Sequence, residues 1–396
     1  MKDTEITNLS NTKKKGFEKS NFSFSDNIQS DYLQNNTFKK IVNLKDNLDN
    51  FNLSLKEKKI IETIYHSYEK LLKNIKLDSR DMVLIQHELL ELDKLNPEYF
   101  PRYLIYRYKY NKYSELKILD DYPPCIQIEP TSICNFRCVM CYQIDKSFSS
   151  KSNGFMGYMN FDIFKKVIDE VEGNLEAVTF ASRGEPTLSK DLEKMLKYCE
   201  NKFLALKLNT NASLLNEKLI HSLLSSDLQT IVFSIDEKNK ENYEEIRVNG
   251  KFEKILKNLE LFNKIRNTHY KKDKKIVRIT GVKINKKQNL EEMKNQWKDF
   301  ADIIAFTNYS PWESSYENKI NDIITACSEL FQRIFVWWDG KVNPCDYDYK
   351  SILSKWNVKQ KTIKEIWNSD YYNLIRKRHL EKQRSMIEPC KRCPIT

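Results

Sequence analysis

Between residues 122 and 310 the chain alternates two hydrophobic rhythms. Six short apolar runs, Cys125–Glu129, Ala177–Ser182, Phe203–Asn209, Thr230–Ile235, Ile276–Ile284 and Ile303–Thr307, have the length and β-branched content of buried strands. The stretches Phe161–Val171, Asp191–Glu200, Glu217–Leu224, Phe252–Arg266 and Leu290–Phe300 place apolar residues three and four apart, the period of an amphipathic helix. Strand followed by helix, repeated, predicts an α/β fold with a parallel sheet, because parallel neighbours need a crossover and the crossover is usually a helix. About six such units fall short of the eight that close a barrel.

The flanks follow other patterns. Residues 1–50 are rich in Asn, Lys, Ser and Asp and are expected to form a disordered tether. Over 51–121, Ile60, Ile61, Ile64, Tyr65, Tyr68, Leu71 and Leu72 predict one helix, and Met82, Leu84, Ile85, Leu89, Leu90 and Leu92 predict a second. A tyrosine-rich stretch, Tyr103–Tyr110, then leads toward the first strand, so this region reads as a helical extension. In 311–396, Asp339-Gly340 reads as a hairpin turn that delivers Cys345 at a strand end, followed by a helix-like Thr362–Leu380.

Composition then excludes several classes. No run approaches the ~18 apolar residues of a membrane helix, and the lysines near the N-terminus have no apolar stretch behind them to make a secretion signal. Nine cysteines in such a chain suit a reducing cytoplasm and metal ligation rather than disulfides. The formal charge of +11 comes from scattered lysines, without a compact basic block or nucleic-acid motif, and argues against a nucleic-acid partner.

Chemistry concentrates in Cys134-Asn-Phe-Arg-Cys138-Val-Met-Cys141, directly after the first apolar run. Three thiols at C-x3-C-x2-C spacing can turn inward around one small inorganic centre, either zinc or an iron–sulfur cluster. No fourth Cys or His lies nearby to close a tetrahedral zinc site.

Cys134, Cys138 and Cys141 match the signature of the radical SAM superfamily. That resemblance implies a partial (β/α)6 barrel over 122–310 and a [4Fe–4S] cluster whose open iron chelates S-adenosylmethionine, cleaved reductively to a 5′-deoxyadenosyl radical. Further motifs fall at predicted strand ends in the family's order. Ser182-Arg183-Gly184-Glu185-Pro186 resembles the GGEP-type turn, with Arg183 in place of the first glycine. Asn209-Thr210-Asn211 resembles the TNG turn, with Ala212 in place of glycine. Ser234-Ile-Asp236 and Tyr243-Glu-Glu-Ile-Arg247 resemble the SxDG and YexiR stretch, with Glu237 in place of glycine. By this resemblance Gly184, Glu185, Pro186, Asn211, Ser234, Arg247 and Val282 are the cofactor-binding residues, Arg247 pairing the cofactor carboxylate. Arg183 reads as a second carboxylate clamp or a substrate contact.

A second set of thiols, Cys327, Cys345, Cys390 and Cys393, can close a site completely, with zinc as the alternative to a cluster. The layout resembles the SPASM/twitch extension of radical SAM enzymes and implies one auxiliary [4Fe–4S] cluster in 311–396. Cys125 and Cys199 read as small core residues, and the five histidines form no metal-ligand pair.

The resemblance implies an enzyme of the oxidoreductase type that abstracts a substrate hydrogen atom. The expected substrate is a small carbohydrate- or aminocyclitol-type alcohol, oxidised or epimerised, with maturation of a peptide or protein as the alternative. A flavodoxin or ferredoxin is the expected electron donor.

Overall fold

The computed structural model describes residues 30–272, 275–285 and 288–395. Eleven strands are assigned: β1 (Cys125–Ile128), β2 (Arg137–Cys138), β3 (Ala177–Phe180), β4 (Ala205–Thr210), β5 (Thr230–Ser234), β6 (Arg247–Val248), β7 (Ile276–Lys283), β8 (Ile303–Asn308), β9 (Arg333–Val336), β10 (Lys341–Asn343) and β11 (Trp356–Asn357). Among the described residues nine of them form one sheet, in the order β11-β10-β9-β1-β3-β4-β5-β7-β8. The six strands from β1 to β8 within it are parallel, as the strand–helix alternation predicts, and match the six expected runs.

Four of the connecting helices start on an asparagine. Asn160, Asn216, Asn239 and Asn289 each accept a backbone N–H from the first turn, at 2.7–3.2 Å. The N-cap side chain satisfies a donor that has no partner inside the helix. The high asparagine content thus has a structural use in starting the crossovers. Helix Phe161–Val171 turns Phe164, Val167, Ile168 and Val171 onto the sheet, where they pack in one core with Val178, Phe180, Leu206 and Leu208.

The sheet does not stop at residue 310. β9 pairs parallel with the free edge of β1, Cys125 opposite Arg333 and Ile128 opposite Val336, and β10 returns antiparallel after a turn closed by Gly340 at φ +86°. The C-terminal segment is therefore continuous with the barrel sheet, because an unpaired edge beside β1 would leave its backbone groups unsatisfied. The expected single helix Thr362–Leu380 is two helices, Ile363–Trp367 and Asp370–Leu380, because Ser369 caps the second one.

The helical extension is confirmed, and it begins earlier than expected. The tether assigned to 1–50 lies outside the described residues up to 29, but Ser30–Asp46 form a helix, α1. Ile41 and Leu44 are buried, and Asn36 and Lys40 both donate to Asp93 at 2.7 Å. Thr37, Ile41 and Leu44 share one helix face that the polar composition obscured, and Leu48, buried in the turn after the helix, continues it. Helix α2 (Leu55–Leu72) opens with a capping box between Ser54 and Glu57. Helix α3 starts only at Gln86 and runs to Lys94. Met82 and Leu84 precede it in extended chain, their N–H groups donating to Ser67 Oγ at 3.0 Å and Tyr68 Oη at 3.1 Å. Helix α4 (Phe100–Tyr108) completes the group. Its core includes Cys125, Ala177 and Leu204, residues at the starts of β1, β3 and β4, so the extension closes the N-terminal end of the barrel. Chemistry is left to the opposite end, where α/β barrels place it.

Candidate active site

The cysteine loop is held on three sides. Thr131 Oγ1 donates to Gly157 O at 2.7 Å, and Gly157 N donates to Ser132 Oγ at 2.8 Å. Gln143 Nε2 donates to the carbonyls of Ser132 and Arg183, tying the loop to the turn after β3. Within the loop, β2 pairs antiparallel with β6, setting Cys138 opposite Arg247. Phe136 N donates to Cys134 Sγ at 3.4 Å, and Arg247 Nη1 lies 3.7 Å from Cys138 Sγ. Donors of this kind stabilise thiolates.

Burial pushes Cys134 up to about 12 and raises Cys138 and Cys141, and the thiols of Cys134 and Cys138 act electrostatically on Cys141. A cationic centre reverses that effect by displacing the thiol protons. Among the described residues no three His, Cys, Asp or Glu side chains converge closely enough for a single metal ion. A zinc ion would need every sulfur at about 2.3 Å. A cubane anchors each thiolate on a different iron, so it suits thiols that are near one another without meeting at a point.

The turn after β3 presses on this loop. A Cβ on Gly184 would lie 2.2 Å from Thr131 O and 2.6 Å from Ile133 O, so only glycine permits the approach. Glu185 is spent inside the protein: its carboxylate accepts from Thr187 Oγ1 and Thr210 Oγ1 at 2.6 Å and from Asn211 N at 2.8 Å. It fixes the turn that Pro186 continues, and burial raises its pKa. Asn211 Nδ2 donates to Asn135 Oδ1 at 3.0 Å, joining the β4 turn to the cysteine loop. Ala212 adopts φ +62°, the left-handed conformation that suits the glycine it replaces.

Beyond β5, Asp236 organises the rim. Its carboxylate accepts from Arg247 Nε and from Val282 N, the latter at 2.7 Å, while Gln288 Nε2 donates to the carbonyls of Asp236 and Val282 at 2.9 Å. Arg247 and Val282 thus belong to one hydrogen-bonded unit beside Cys138. Ser234 is the partly accessible last residue of β5.

Arg183 departs from expectation. It is 3% exposed and its guanidinium forms a two-pronged pair with Glu129, Nε–Oε2 2.6 Å and Nη2–Oε1 2.7 Å, while Nη1 donates to Tyr349 O at 2.9 Å. The planar group lies 4.1 Å from the centre of the Trp337 ring. In this structure it is a buried tie between barrel and C-terminal segment, not a group presented to cofactor or substrate.

The quartet also assembles. Cys327, Cys390 and Cys393 all act on the thiol of Cys345. Arg384, 1% exposed, grips the Cys390–Cys393 turn by donating to both carbonyls, at 3.0 and 2.6 Å. Cys327 N donates to His379 Nδ1 at 3.2 Å. An aromatic chain links the two thiol sets: Tyr142, adjacent to Cys141, packs 6.2 Å from Trp312, which packs 6.2 Å from Tyr347, itself acted on by Cys393 and Cys345. Trp312 and Tyr316 pack against a small core of Tyr142, Phe148 and Tyr349.

Sequence reasoning missed Glu129, Gln143, Gln288, His379 and Arg384 as contributors, and quoted Asp236 in its motif without giving it a role. Glu129 and Asp236 follow strands β1 and β5, and the strand-end rule alone could have singled them out. The others carry no local signal.

Residues 128–296 match the radical SAM superfamily, and residues 327–394 match the iron–sulfur cluster-binding domain known as SPASM. The chain is a radical SAM protein with a C-terminal SPASM domain, and it uses S-adenosylmethionine and [4Fe–4S] clusters, an auxiliary one included. It is 27% identical over 216 residues to the uncharacterized protein MJ0804 of Methanocaldococcus jannaschii, covering 51% of this chain and 68% of the other. It is 25% identical over 302 residues to the tungsten-containing aldehyde ferredoxin oxidoreductase cofactor-modifying protein of Pyrococcus furiosus, covering 63% and 82%. The fold also resembles Streptococcus suis SuiB bound to precursor peptide SuiA, with TM-score 0.51 and 18% identity over 81% of this chain and 78% of that one. Among the described residues no helix is long and apolar enough to cross a membrane.

Proposed function

We propose that this chain oxidises an alcohol on a small polar molecule of the carbohydrate or cyclitol type to the carbonyl. The aromatic chain from Cys141 through Tyr142, Trp312 and Tyr347 to Cys345 and Cys393 carries the reading. Its three rings would connect an electron acceptor held in the four-cysteine site to the cysteine loop, which favours net oxidation over return of hydrogen. When bound, the cofactors supply one-electron chemistry: reductive cleavage of S-adenosylmethionine, and an acceptor in the four-cysteine site. Conversion of the alcohol to the carbonyl removes one hydrogen atom, one electron and one proton: the group held by Cys134, Cys138 and Cys141 would supply the hydrogen-atom acceptor, the group held by Cys327, Cys345, Cys390 and Cys393 would take the electron, and the proton would go to solvent.

The chain's own residues prepare that step. Cys134, Cys138 and Cys141 hold the cofactor cluster, and Cys327, Cys345, Cys390 and Cys393 hold a single auxiliary cluster. Gly184, Glu185 and Pro186 present a fixed turn, Asn211 and Ser234 offer polar groups, and the Asp236–Arg247–Val282 unit aims a cation and an apolar side chain at the rim. Accessible Asn209, Thr280 and Thr307 line a polar interior closed below by the helical extension. A flavodoxin- or ferredoxin-class donor and a cytoplasmic setting complete the reading, the latter suiting nine free thiols.

A second reading is modification of a cofactor or peptide, supported by the name of the Pyrococcus furiosus relative. Against a peptide, residues 30–124 hold helices and turns without a strand, whereas a leader-binding winged helix needs strands.

The test is anaerobic turnover of the reconstituted protein with neutral polyols, aminocyclitols, sugar phosphates and short peptides. The expected result is 5′-deoxyadenosine formed one-to-one with a product lighter by two hydrogens. A product of unchanged mass identifies an epimerase, and consumption of peptides alone favours maturation; either overturns the proposal.

A further inference from the structure

On β4, Ala205, Lys207 and Asn209 are partly accessible, while Leu206, Leu208 and Thr210 are buried. On β7 Arg278, Thr280 and Val282 are partly accessible between buried Val277, Ile279 and Gly281, and Lys283 at the strand's end is partly accessible too. Leu206, Leu208, Val277 and Ile279 pack in the core shared with the outer helices. Period-two alternation therefore turns the accessible set into the barrel lumen.

Lys207 is the anomaly of that lumen. Among the described residues its ammonium group has no hydrogen bond or ion pair. The ionisable groups that act on it are Arg278, Cys125, Arg333 and Glu91. Glu91, the carboxylate among them, is already committed to Arg107 and to Tyr103 Oη, the latter at 2.7 Å. Arg333 is committed to Glu329 at 2.8 Å. Desolvation, reinforced by Arg278 and Arg333, pushes Lys207 down to about 8. Lys207, itself without a partner, is thus a desolvated cation that an anion can satisfy.

We propose that Lys207, with Arg278 beside it, forms an anion-binding floor that seats a carboxylate or phosphate of the substrate. The proposal rests on the reading of the barrel as a substrate chamber and narrows its occupant to an acidic or phosphorylated polar molecule. Lys207 lies four residues before Asn211, about 13 Å along the strand. The anion is held at the bottom while the reacting carbon stays near the rim. A neutral polyol of the same shape leaves Lys207 without a partner, so the floor also sets specificity.

The experiment is thermal unfolding of the full reconstituted chain with increasing inorganic phosphate, glucose or glucose 6-phosphate. Wild type is expected to show a saturable rise in unfolding temperature with both phosphates and none with glucose, glucose 6-phosphate binding more tightly. Lys207→Met is expected to weaken that binding at least tenfold, and Lys207→Arg to retain it. Iron content equal to wild type certifies that both variants fold. Equal stabilisation of wild type and Lys207→Met, or none in wild type, overturns the anion site. Equal affinity for inorganic phosphate and glucose 6-phosphate overturns the assignment to a substrate group. Failure of alcohol oxidation leaves all these readouts unmoved, so the two proposals fail separately.

Discussion

Arg183 and Glu129 form a buried two-pronged ion pair, with side chains only 2% and 0% exposed, at the junction of the barrel and the C-terminal segment. Glu129 also accepts from Trp338 N at 3.2 Å, and Arg183 reaches Tyr349 O, so both partners touch each part of the molecule. Removing one partner of such a pair costs about 3–5 kcal/mol, because the other charge stays buried. Arg183→Met should therefore lower urea-unfolding stability by that amount. Glu129→Gln combined with Arg183→Met should recover part of the loss. Equal stability of Arg183→Met and wild type would show that the pair is not buried in solution.

Gly184 has no room for a side chain beneath Thr131 and Ile133. Gly184→Ala should displace the cysteine loop and cut S-adenosylmethionine cleavage at least tenfold. The auxiliary iron should stay bound, because the quartet is built from other segments. Iron analysis together with 5′-deoxyadenosine yield checks both halves.

The two thiol sets should load independently. Cys134/Cys138/Cys141→Ala is expected to lose roughly half of the iron and acid-labile sulfide and all cofactor cleavage, the outcome for two cubanes. Cys390→Ala should lose the other half. If the first variant is iron-free while zinc remains, the quartet is a zinc site.

Arg247 is anchored by Asp236 and lies beside Cys138. A charge-assisted hydrogen bond to the cofactor carboxylate contributes about 1.5–3 kcal/mol, so Arg247→Met should weaken S-adenosylmethionine binding by roughly 10- to 100-fold. Equilibrium dialysis of the reconstituted protein measures it. Unchanged affinity would remove Arg247 from the cofactor site.

Lys207 makes stability depend on pH in a defined direction. Its folded-state pKa, about 8, lies below the ordinary 10.5, so between those values the unfolded chain binds more protons than the folded one. Stability contributed through this group should therefore rise with pH across that window and be at its lowest below about 8. Unfolding midpoints from pH 7.5 to 10 should show a slope that Lys207→Met flattens.

The order of the elements was legible in the chain because local pattern determines it. Hydrophobic period separates strands from helices, and the three-cysteine spacing lies within eight residues. The turns after β3, β4 and β5 carry their motifs in consecutive residues. Ala212 was recognisable as a glycine substitute, and the structure gives it the glycine conformation. Other features depend on groups far apart in sequence. Nothing near Arg183 indicates that it will meet Glu129, 54 residues away. The pairing of β9 with β1, the closure of the barrel floor by the extension and the isolation of Lys207 among committed charges arise only when the sheet forms. Burial turns those juxtapositions into energy, because a charge removed from water must find its partner wherever the fold puts one.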